Sequence, residues 1–413
     1  MLGNKALPDF GCLRGVKVVH ATSNIAGPFG AELLAEHGAD VLWLENARSP
    51  DPSRLSGRRF FQTERQNQRT MALDLPSEQG REIFARIIRE ADIFIENSKG
   101  GQYEKWGLTD EVLWQINPRL IIAHLSGFGE TGLKEYVERP SYDAIAQAFG
   151  GYIDLNSNGV TAPYAAPATA DYVAGLFQVV GILAALHRVK QSGVGESVDV
   201  AMYECIMKVQ CDQGNYFTDK EPVARVGYPY WVAGWTCLPC KDGEYIQLCL
   251  TGTGVLKKAI PFFGLEYGSA EFPEGISGMQ IAKPNGRKFS DAIAAYLLTK
   301  TVDEAEKEMI TAGLPVSKVN TLADIEHDPH VLARETLDEW EAFNGEKIKS
   351  VGPVPKFRNN PGRHWRAAPL FGMDNDEVLA ELGYSAEEIA AFYTSRTIAR
   401  QSEPRTRKRS IEV

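Results

Sequence analysis

The 413-residue sequence has few cysteines, few histidines and no long apolar run. Six scattered cysteines do not make the framework of a disulfide-rich secreted domain, and they fit a reducing cytoplasm. Seven histidines form no HExxH-like cluster, so we predict no metal site. The longest uncharged apolar stretch, about Val173 to Leu186, is shorter than the roughly 20 residues that cross a bilayer. The opening MLGNKALPDF lacks the apolar core of a secretion signal, so we expect a cytoplasmic location.

Positive charge is also scarce relative to negative charge. The sequence has 44 Lys and Arg against 54 Asp and Glu, a formal net charge of -10. Such a chain repels nucleic acids and acidic membrane surfaces, so neither is an expected partner. With 44% apolar and 24% charged residues the chain is globular, and its length suggests two domains of about 150 residues or more.

The first half of the chain alternates short β-branched runs with amphipathic segments, which is the pattern of a parallel sheet covered by helices. We therefore predict an α/β fold with a Rossmann-like large domain. The predicted strands are Val16 to His20, Val41 to Glu45, Ile93 to Glu96, Leu120 to Leu125 and Glu196 to Met202. The predicted helices cover residues 28–37, 77–90, 109–116, 170–190 and 376–382.

The pattern changes near Tyr228. From there to about Val319, aromatic clusters, shorter helices and a hairpin around Lys241-Asp242-Gly243 predict a smaller α+β domain. Four rings near its start form core, an interface or a cage for a quaternary ammonium group, and the sequence leaves these alternatives open. They are Tyr228, Tyr230, Trp231 and Trp235. Cys237 and Cys240 lack a second pair at zinc-site spacing, which favours structural thiols.

A turn from Asn24 to Gly30 joins the first predicted strand to the first predicted helix. Backbone N–H groups and the helix dipole favour an anion at such a turn. Glu45 ends the next strand, where dinucleotide-binding proteins place the acid that binds ribose. A dehydrogenase is therefore one alternative, although the turn lacks GxGxxG, and an ordinary strand-to-helix turn is another.

Asp171, in the run ATADY, begins the most apolar predicted helix. A carboxylate in a first helical turn is commonly only a cap. The alternative is chemical: the helix dipole keeps a partly desolvated Asp ionised, and a carboxylate held in this way can act as a covalent nucleophile.

Cations and glycines follow the predicted strand that ends at Glu96. The run from Asn97 to Gly101 contains Lys99, Lys105 lies just beyond it, and Arg65 and Arg69 lie upstream. Because doubly wound sheets bind phosphorylated ligands at the carboxyl ends of their strands, these residues predict a phosphate site. Solvated surface charge is the alternative for each of them.

Several runs together resemble one known family. LRGVKVVHATSNIAGPFGAELLAEHGADVLWLEN, TDEVLWQINPRLIIAHLSGFG, IAQAFGGYI, ATADYVAGL and SGVGESVDVAMYE are similar to family III CoA-transferases, the CaiB/BaiF family, over essentially the whole chain. The resemblance implies a homodimer of interlocked, ring-like subunits. It implies a large domain begun by residues 1–222, a small domain at 223–335, and a C-terminal segment, 336–413, that returns to the large domain.

In the family, the Asp of the TADY-type motif is the nucleophile, and here it matches Asp171. The resemblance further implies that Lys99 of the SKG motif, with Asn97, binds CoA. The turn residues Ile25 and Ala26 match positions near the CoA arm. A second basic contact of the family falls on Trp106 in this chain, so the expectation moves to the neighbouring Lys105. The resemblance implies acyl-CoA and a small carboxylic acid as substrates, with no tightly bound cofactor.

The acid is the finer expectation. LSGFG and the late FRNNPGRHWRAAPLFGMD most resemble the members that exchange CoA between crotonobetainyl-CoA or butyrobetainyl-CoA and L-carnitine. A different carboxylic acid is the alternative. Oxalate is disfavoured because the chain has only TGTG where the oxalate enzymes carry four glycines. A racemase is disfavoured because Tyr142 occupies the position of that enzyme's catalytic His.

Overall fold

The computed structural model describes residues 3–55, 59–157, 165–211, 213–225, 227–228 and 230–401. These residues divide into two compact units. The large unit comprises the described residues of 1–150, 165–209 and 333–413, and the small unit those of 151–164 and 210–332. The chain therefore leaves the large unit and returns to it twice. The sequence and the resemblance place the small domain at residues 223–335. Those domain bounds remain a prediction.

The strands of the described residues follow the expected alternation with helices in the first half of the chain. They are β1 (Lys17–Ala21), β2 (Asp40–Asn46), β3 (Gln68–Leu73), β4 (Ile93–Glu96), β5 (Ile121–Ser126), β6 (Glu196–Ala201), β7 (Trp235–Pro239), β8 (Tyr245–Cys249), β9 (Val316–Lys318), β10 (Leu337–Glu341), β11 (Lys347–Val351) and β12 (Ile398–Ala399).

Several helices begin where their sequences supply a cap or a proline. Ser77 and Thr109, for example, accept N–H groups of the first turns that follow them. The helices are α1 (Ala26–Glu36), α2 (Pro52–Leu55), α3 (Phe60–Thr63), α4 (Glu78–Glu90), α5 (Asp110–Ile116), α6 (Lys134–Val137), α7 (Asp143–Phe149), α8 (Tyr152–Leu155), α9 (Thr169–Ser192), α10 (Met202–Lys208), α11 (Gln213–Asp219), α12 (Thr253–Phe262), α13 (Pro284–Leu297), α14 (Val302–Thr311), α15 (Leu322–His327), α16 (Pro329–Ala333), α17 (Asn375–Glu381) and α18 (Ala386–Thr394), with a 3-10 turn at Glu104–Trp106.

The large unit is built on a seven-stranded sheet with the order β12-β3-β2-β1-β4-β5-β6. Its strands are parallel except β12, which pairs antiparallel with β3. The order 3-2-1-4-5-6 is that of the Rossmann fold, so the predicted α/β, Rossmann-like fold class is confirmed. The chain reverses its direction across the sheet between β1 and β4, and the carboxyl ends of these strands border a crevice.

Alternate residues of each strand face opposite sides of this sheet. Val19 and Phe94 pack with α4 and α5 on one face. Val18 and Ile93 pack with α1 and α9 on the other face. Both faces are buried, which explains why the strands read as continuous apolar runs in the sequence.

β3 is a strand that the sequence reading missed. Gln68, Arg69 and Thr70 give it a polar start, yet every residue from Gln68 to Leu73 is buried. Arg69 is buried because its guanidinium contacts Glu381 at 2.9 Å and Glu377 at 3.3 Å, and both acids belong to α17. The partners lie some 300 residues away in the chain, so no local pattern reveals the strand.

Helix α9 is longer than the apolar stretch read from the sequence. Among the described residues it is long and apolar enough, by length and composition alone, to cross a membrane. Ile182, Leu186 and Val189 pack it onto the sheet beside α1. These are the contacts of a helix that covers a sheet, and the predicted absence of a membrane span stays a prediction.

The small unit contains the antiparallel sheet β7-β8-β9. β7 and β8 pair from Trp235 with Cys249 to Pro239 with Tyr245, so the predicted hairpin around Lys241-Asp242-Gly243 is present. Helices α12, α13 and α14 cover it, with Phe289 and Ile293 in its core.

Candidate active site

A cleft of about 250 Å3 opens in the large unit at the carboxyl ends of β1, β4 and β5. It lies at the point where the strand order reverses, which is where doubly wound sheets bind ligands. We call it the Asp171 cleft. It is lined by Ser23, Asn24, Ile25, Ala26, Asn97, Ser98, Lys99, Leu125, Ser126, Gly127, Arg139, Pro140, Ser141, Tyr142, Asp171 and Met202.

Asp171 is half-buried in the first turn of α9. Burial, then the negative charges of Asp143 and Glu64, raise the pKa of its carboxyl to about 7. The expectation that the helix dipole keeps this Asp readily ionised is therefore wrong. The reason is that desolvation and two nearby carboxylates outweigh the dipole, and that a different side chain accepts the N–H groups of the turn.

That side chain is Asp143, at the start of α7. Its Oδ1 accepts the backbone N–H of Ala170 at 2.7 Å and that of Asp171 at 3.3 Å. Its Oδ2 accepts the amide of Gln147 at 2.6 Å. Sequence reading missed Asp143 as a site residue, because a cap supplied by another helix leaves no local signal.

Behind Asp171, Tyr172 anchors the same turn. Its hydroxyl donates to Glu64 Oε1 at 2.5 Å, and its ring meets Phe29 edge-on at 4.9 Å between centroids. Burial raises the pKa of Glu64, while the bond from Tyr172 and the charge of Arg65 act in the opposite direction. The nucleophile candidate is thus backed by a hydrogen-bonded layer that contains charged side chains.

Arg65 belongs to that layer and is not among the described residues that line the Asp171 cleft. Its side chain is fully buried, donates to the carbonyl of Asn24 at 2.7 Å and lies 3.9 Å from Asp51. Arg69 is likewise buried, in β3. The hypothesis that these two cations hold a phosphate is wrong, because both guanidinium groups are used inside the protein.

Three of the predicted CoA contacts form the wall between β1 and β4. Ile25 and Ala26 line the Asp171 cleft, and so does Asn97. The Asn97 amide is committed to the turn after β1: its Oδ1 accepts the N–H of Ser23 at 2.9 Å and its Nδ2 donates to the Ser23 carbonyl at 2.8 Å. Asn97 therefore shapes the wall through its side chain.

The cations of the cleft are Lys99 and Arg139. Lys99 was predicted, whereas Arg139 was missed because it lies in a loop without a recognisable pattern. The Arg139 guanidinium also covers the ring of Phe128 at 5.1 Å. Lys105 is exposed on the 3-10 turn and is not among the described residues that line the cleft. The cleft combines a carboxylate that resists ionisation with two cations that suit a phosphorylated ligand.

A second cavity, of about 310 Å3, lies beside the first and shares Lys99 with it. Within the described part of the chain, its Glu96, His124 and Glu130 are grouped closely enough to hold a metal ion. The ring nitrogens of His124, however, are 2.8 Å from Glu96 and 3.0 Å from Asp110. Burial lowers the pKa of His124, but these two bonds outweigh it and raise the value to about 10. Both ring nitrogens of His124 are thus engaged by carboxylates, and the described residues hold this cluster together as an ion-pair network.

Two other hypotheses from the sequence, a ribose-binding Glu45 and an aromatic cage, are not supported by the contacts of these residues. Glu45 is buried against Arg54, with two contacts of 2.6 and 2.8 Å, so it cannot receive a ribose as a dehydrogenase would require. The four rings of the small unit form two separate pairs, Tyr228 with Tyr230 and Trp231 with Trp235. Those contacts give no common cage.

Comparison with known proteins adds to this geometry. The sequence model of "CoA-transferase family III" matches residues 13–375. A bile acid CoA-transferase, BaiK, from Clostridium scindens is 42% identical over 395 residues, which cover 94% of this chain and 90% of that protein. A CaiB/BaiF family protein from Brucella suis has a similar structure, with a TM-score of 0.75, 28% identity, and coverage of 91% and 100% of the two chains. Rv3272 from M. tuberculosis shares the fold at 21% identity, with a TM-score of 0.76 over 89% and 99%.

Proposed function

The chain belongs to CoA-transferase family III, and from this premise we propose that it moves CoA from an acyl-CoA to a free carboxylic acid through a thioester on Asp171. One observation carries the proposal: Asp171 lines a cleft at the switch point of the sheet together with Lys99 and Arg139. The two cations give the acidic chain the local positive charge that a phosphorylated substrate needs.

In the first step the Asp171 carboxylate attacks the thioester carbonyl, the carbon–sulfur bond breaks, and a mixed anhydride and CoA thiolate form. The thiolate then attacks the aspartyl carbonyl and expels the first acid as a carboxylate, leaving a thioester between Asp171 and CoA. The acceptor carboxylate opens this thioester to a second anhydride, and CoA attacks its acyl carbon to release the new acyl-CoA and the free Asp171 carboxylate. Covalent catalysis divides the exchange into steps that keep activated acyl groups out of water.

The environment of Asp171 suits this role. A carboxylate with a pKa of about 7 is more basic than an ordinary Asp, and about half of it is ionised at neutral pH. Lys99 and Arg139 can contact phosphate or carboxylate oxygens of the bound ligand. Asn97, through its bonds to Ser23, keeps the wall after β1 in place.

For the acid we propose a bile acid or a similarly large apolar carboxylic acid, with L-carnitine as the second candidate. The 42% identity to a bile acid CoA-transferase supports the first. Carnitine rests on the motif resemblance alone, and among the described residues that line the cleft Tyr142 is the one aromatic ring. A trimethylammonium group is best held by several aromatic faces.

The test is an exchange assay with the purified protein. Cholyl-CoA or butyrobetainyl-CoA is mixed with a panel of free acids, including a second bile acid and L-carnitine, and the new acyl-CoA is identified by mass. We expect transfer between the steroid acids with carnitine inert. Transfer to L-carnitine with the bile acids inert would overturn the proposed acid. If neither acyl-CoA donor transfers CoA to any acid of the panel, the proposed function is overturned.

A second test concerns the intermediate. The protein is incubated with the active acyl-CoA and quenched with hydroxylamine, which converts an aspartyl thioester to a hydroxamate. The modified residue is then located by peptide mass mapping. We expect the adduct on Asp171 and none on Asp9, an exposed Asp that pairs with Arg14. An adduct elsewhere would exclude Asp171 as the nucleophile.

We further propose a homodimer located in the cytoplasm. Leu176, Val180 and Leu183 form an apolar stripe on α9 and are 50%, 62% and 41% exposed in the single chain, an area that a second copy would cover. All six cysteines are free thiols, as a reducing compartment allows. Sedimentation velocity is expected to give a dimer for the wild type and a smaller species for Val180→Asp. A wild-type monomer would overturn the proposed dimer.

A further inference from the structure

Helix α9 begins without a cap of its own. Its N-cap residue, Ala168, offers no side-chain acceptor and adopts a left-handed backbone with φ of 51°. Non-glycine residues rarely hold this conformation, and they keep it only where the surroundings fix it. Something outside the helix must therefore hold the turn that carries Asp171.

Helix α7 supplies that support through two side chains one turn apart. Asp143 accepts the N–H groups of Ala170 and Asp171. Gln147 is fully buried, donates to the carbonyl of Ala166 at 2.6 Å and accepts its N–H at 3.0 Å. Asp143 and Gln147 also bond to each other, so they grip residues 166–171 as one clamp.

Asp143 differs from Gln147 in bringing a negative charge to the nucleophile. The other charged or titratable groups around Asp171 are Glu64 with Arg65 and Tyr172 behind it, and Lys99, Arg139 and Tyr142 in the lining of the cleft. Of the carboxylates that act on Asp171, Asp143 acts most strongly, ahead of Glu64. A like charge so close makes the Asp171 carboxylate more basic.

We propose that Asp143 is the positioning residue of the transfer reaction: it holds the first turn of α9 by its two N–H bonds and places a second negative charge beside Asp171. The proposal rests on the proposed role of Asp171 as nucleophile. Asp143 itself does not line the cleft, so it acts through Asp171 and not on the substrate.

Two substitutions separate the two actions. Asp143→Asn keeps an oxygen that can accept both N–H groups but removes the charge. We expect the pH at which kcat/KM falls on the acid side to be lower than in the wild type by roughly one pH unit, because the Asp171 carboxylate loses a neighbouring negative charge. Asp143→Ala removes both actions. We expect the acid side to move as in Asp143→Asn and the plateau of kcat/KM above it to fall about 100-fold, because the nucleophile is no longer held in place.

Glu135→Gln on α6 is the matched control, since it removes an exposed carboxylate that is not among the groups that raise the pKa of Asp171. The acid side of its pH profile is expected to stay where the wild type has it. Circular dichroism and thermal unfolding check that each variant folds. If Asp143→Ala does not fold, Asp143→Asn and Asp143→Glu still decide the proposal, and Asp143→Glu should restore the wild-type pH profile.

An Asp143→Asn profile that coincides with the wild-type profile would overturn the proposal. So would a shift of equal size in Glu135→Gln. Hydroxylamine trapping in the wild type keeps this failure distinct from a failure of the proposed function. If the adduct forms on Asp171 but the Asp143 variants have the wild-type pH profile, the positioning role alone is refuted. If no adduct forms on Asp171, the proposed role of Asp171 as nucleophile is refuted.

Discussion

Two half-buried carboxylates, Asp171 and Asp110, lie at the same edge of the sheet and differ in the charge of the groups that act on them most strongly. Asp171 faces Asp143 and Glu64, and its pKa rises to about 7. Asp110 faces His124 instead, and although burial would raise its pKa, the bonds from His124 and Ser197 lower it below the ordinary value. The same fold thus contains one carboxylate whose ionised form is disfavoured, Asp171, and one whose ionised form is favoured, Asp110.

The difference separates function from structure. A paired carboxylate such as Asp110 stabilises the fold in its ionised form, whereas the ionised form of Asp171 is destabilised by its neighbours. A protein that only needed a stable helix would not place Asp171 beside two other acids. Strongly perturbed carboxylates in clefts are characteristic of catalytic groups, which agrees with the role we propose.

The largest effect is expected for Asp171→Ala. It should reduce the exchange rate by on the order of 10⁴-fold or more, because Asp171 is the one carboxylate among the described residues that line the cleft. Its thermal stability should be equal to or above that of the wild type, since a repelled carboxylate is lost. Initial-rate exchange and thermal unfolding measure the two quantities. Exchange within tenfold of the wild-type rate would contradict the comparison.

The converse change is His124→Ala beside Asp110. Glu96 and Asp110 would lose their counter-charge, so the free energy of unfolding should fall by about 3 kcal/mol. Exchange by the folded variant should stay within a few-fold of the wild type. Urea unfolding gives the free energy, with His187→Ala as the control because His187 is exposed. Equal free energies of unfolding for the two variants would show that His124 does not stabilise the fold.

The two groups should also differ in how stability depends on pH. The folded pKa of Asp171 is raised from 3.8 to about 7, so its contribution is present below about pH 3.8 and lost as the pH rises through 7. As the pH rises between these values, the free energy of unfolding of Asp171→Asn should therefore increase relative to that of the wild type. The difference should reach about 2 kcal/mol at pH 8. For His124 the contribution is present below about pH 6.5 and lost as the pH rises through 10. Unfolding free energies from pH 4 to 10 test both trends, and a constant difference between Asp171→Asn and the wild type would contradict the first.

Regular elements were predictable because their periodicity is local. The predicted strand Ile93 to Glu96 is β4 to the residue, and the predicted helix at 77–90 is α4 with Ser77 as its cap. β3 escaped because the partners of Arg69 come from α17 near the other end of the chain. Local patterns cannot show that a charged residue will be buried by a distant one.

The same limit applies to the cleft. Residues in a recognisable turn or motif, such as Ile25, Lys99 and Asp171, could be named in advance, and the structure places them together. Asp143 and Arg139 could not, because their positions depend on how α7 and the loop before it pack against α9. The sign of the pKa shift of Asp171 was also beyond the sequence, since it depends on carboxylates from two other segments.

The smallest effect is expected for Glu64→Gln. Glu64 acts on Asp171 more weakly than burial and Asp143 do, so removing its charge should move the acid side of the kcat/KM profile to lower pH by less than Asp143→Asn does. The amide can still accept the Tyr172 hydroxyl, which keeps the turn in place. Profiles of both variants, measured with the same acyl-CoA and with Glu135→Gln as the baseline, give the order. A larger shift in Glu64→Gln than in Asp143→Asn would mean that the charged layer behind α9, and not the clamp from α7, controls the nucleophile.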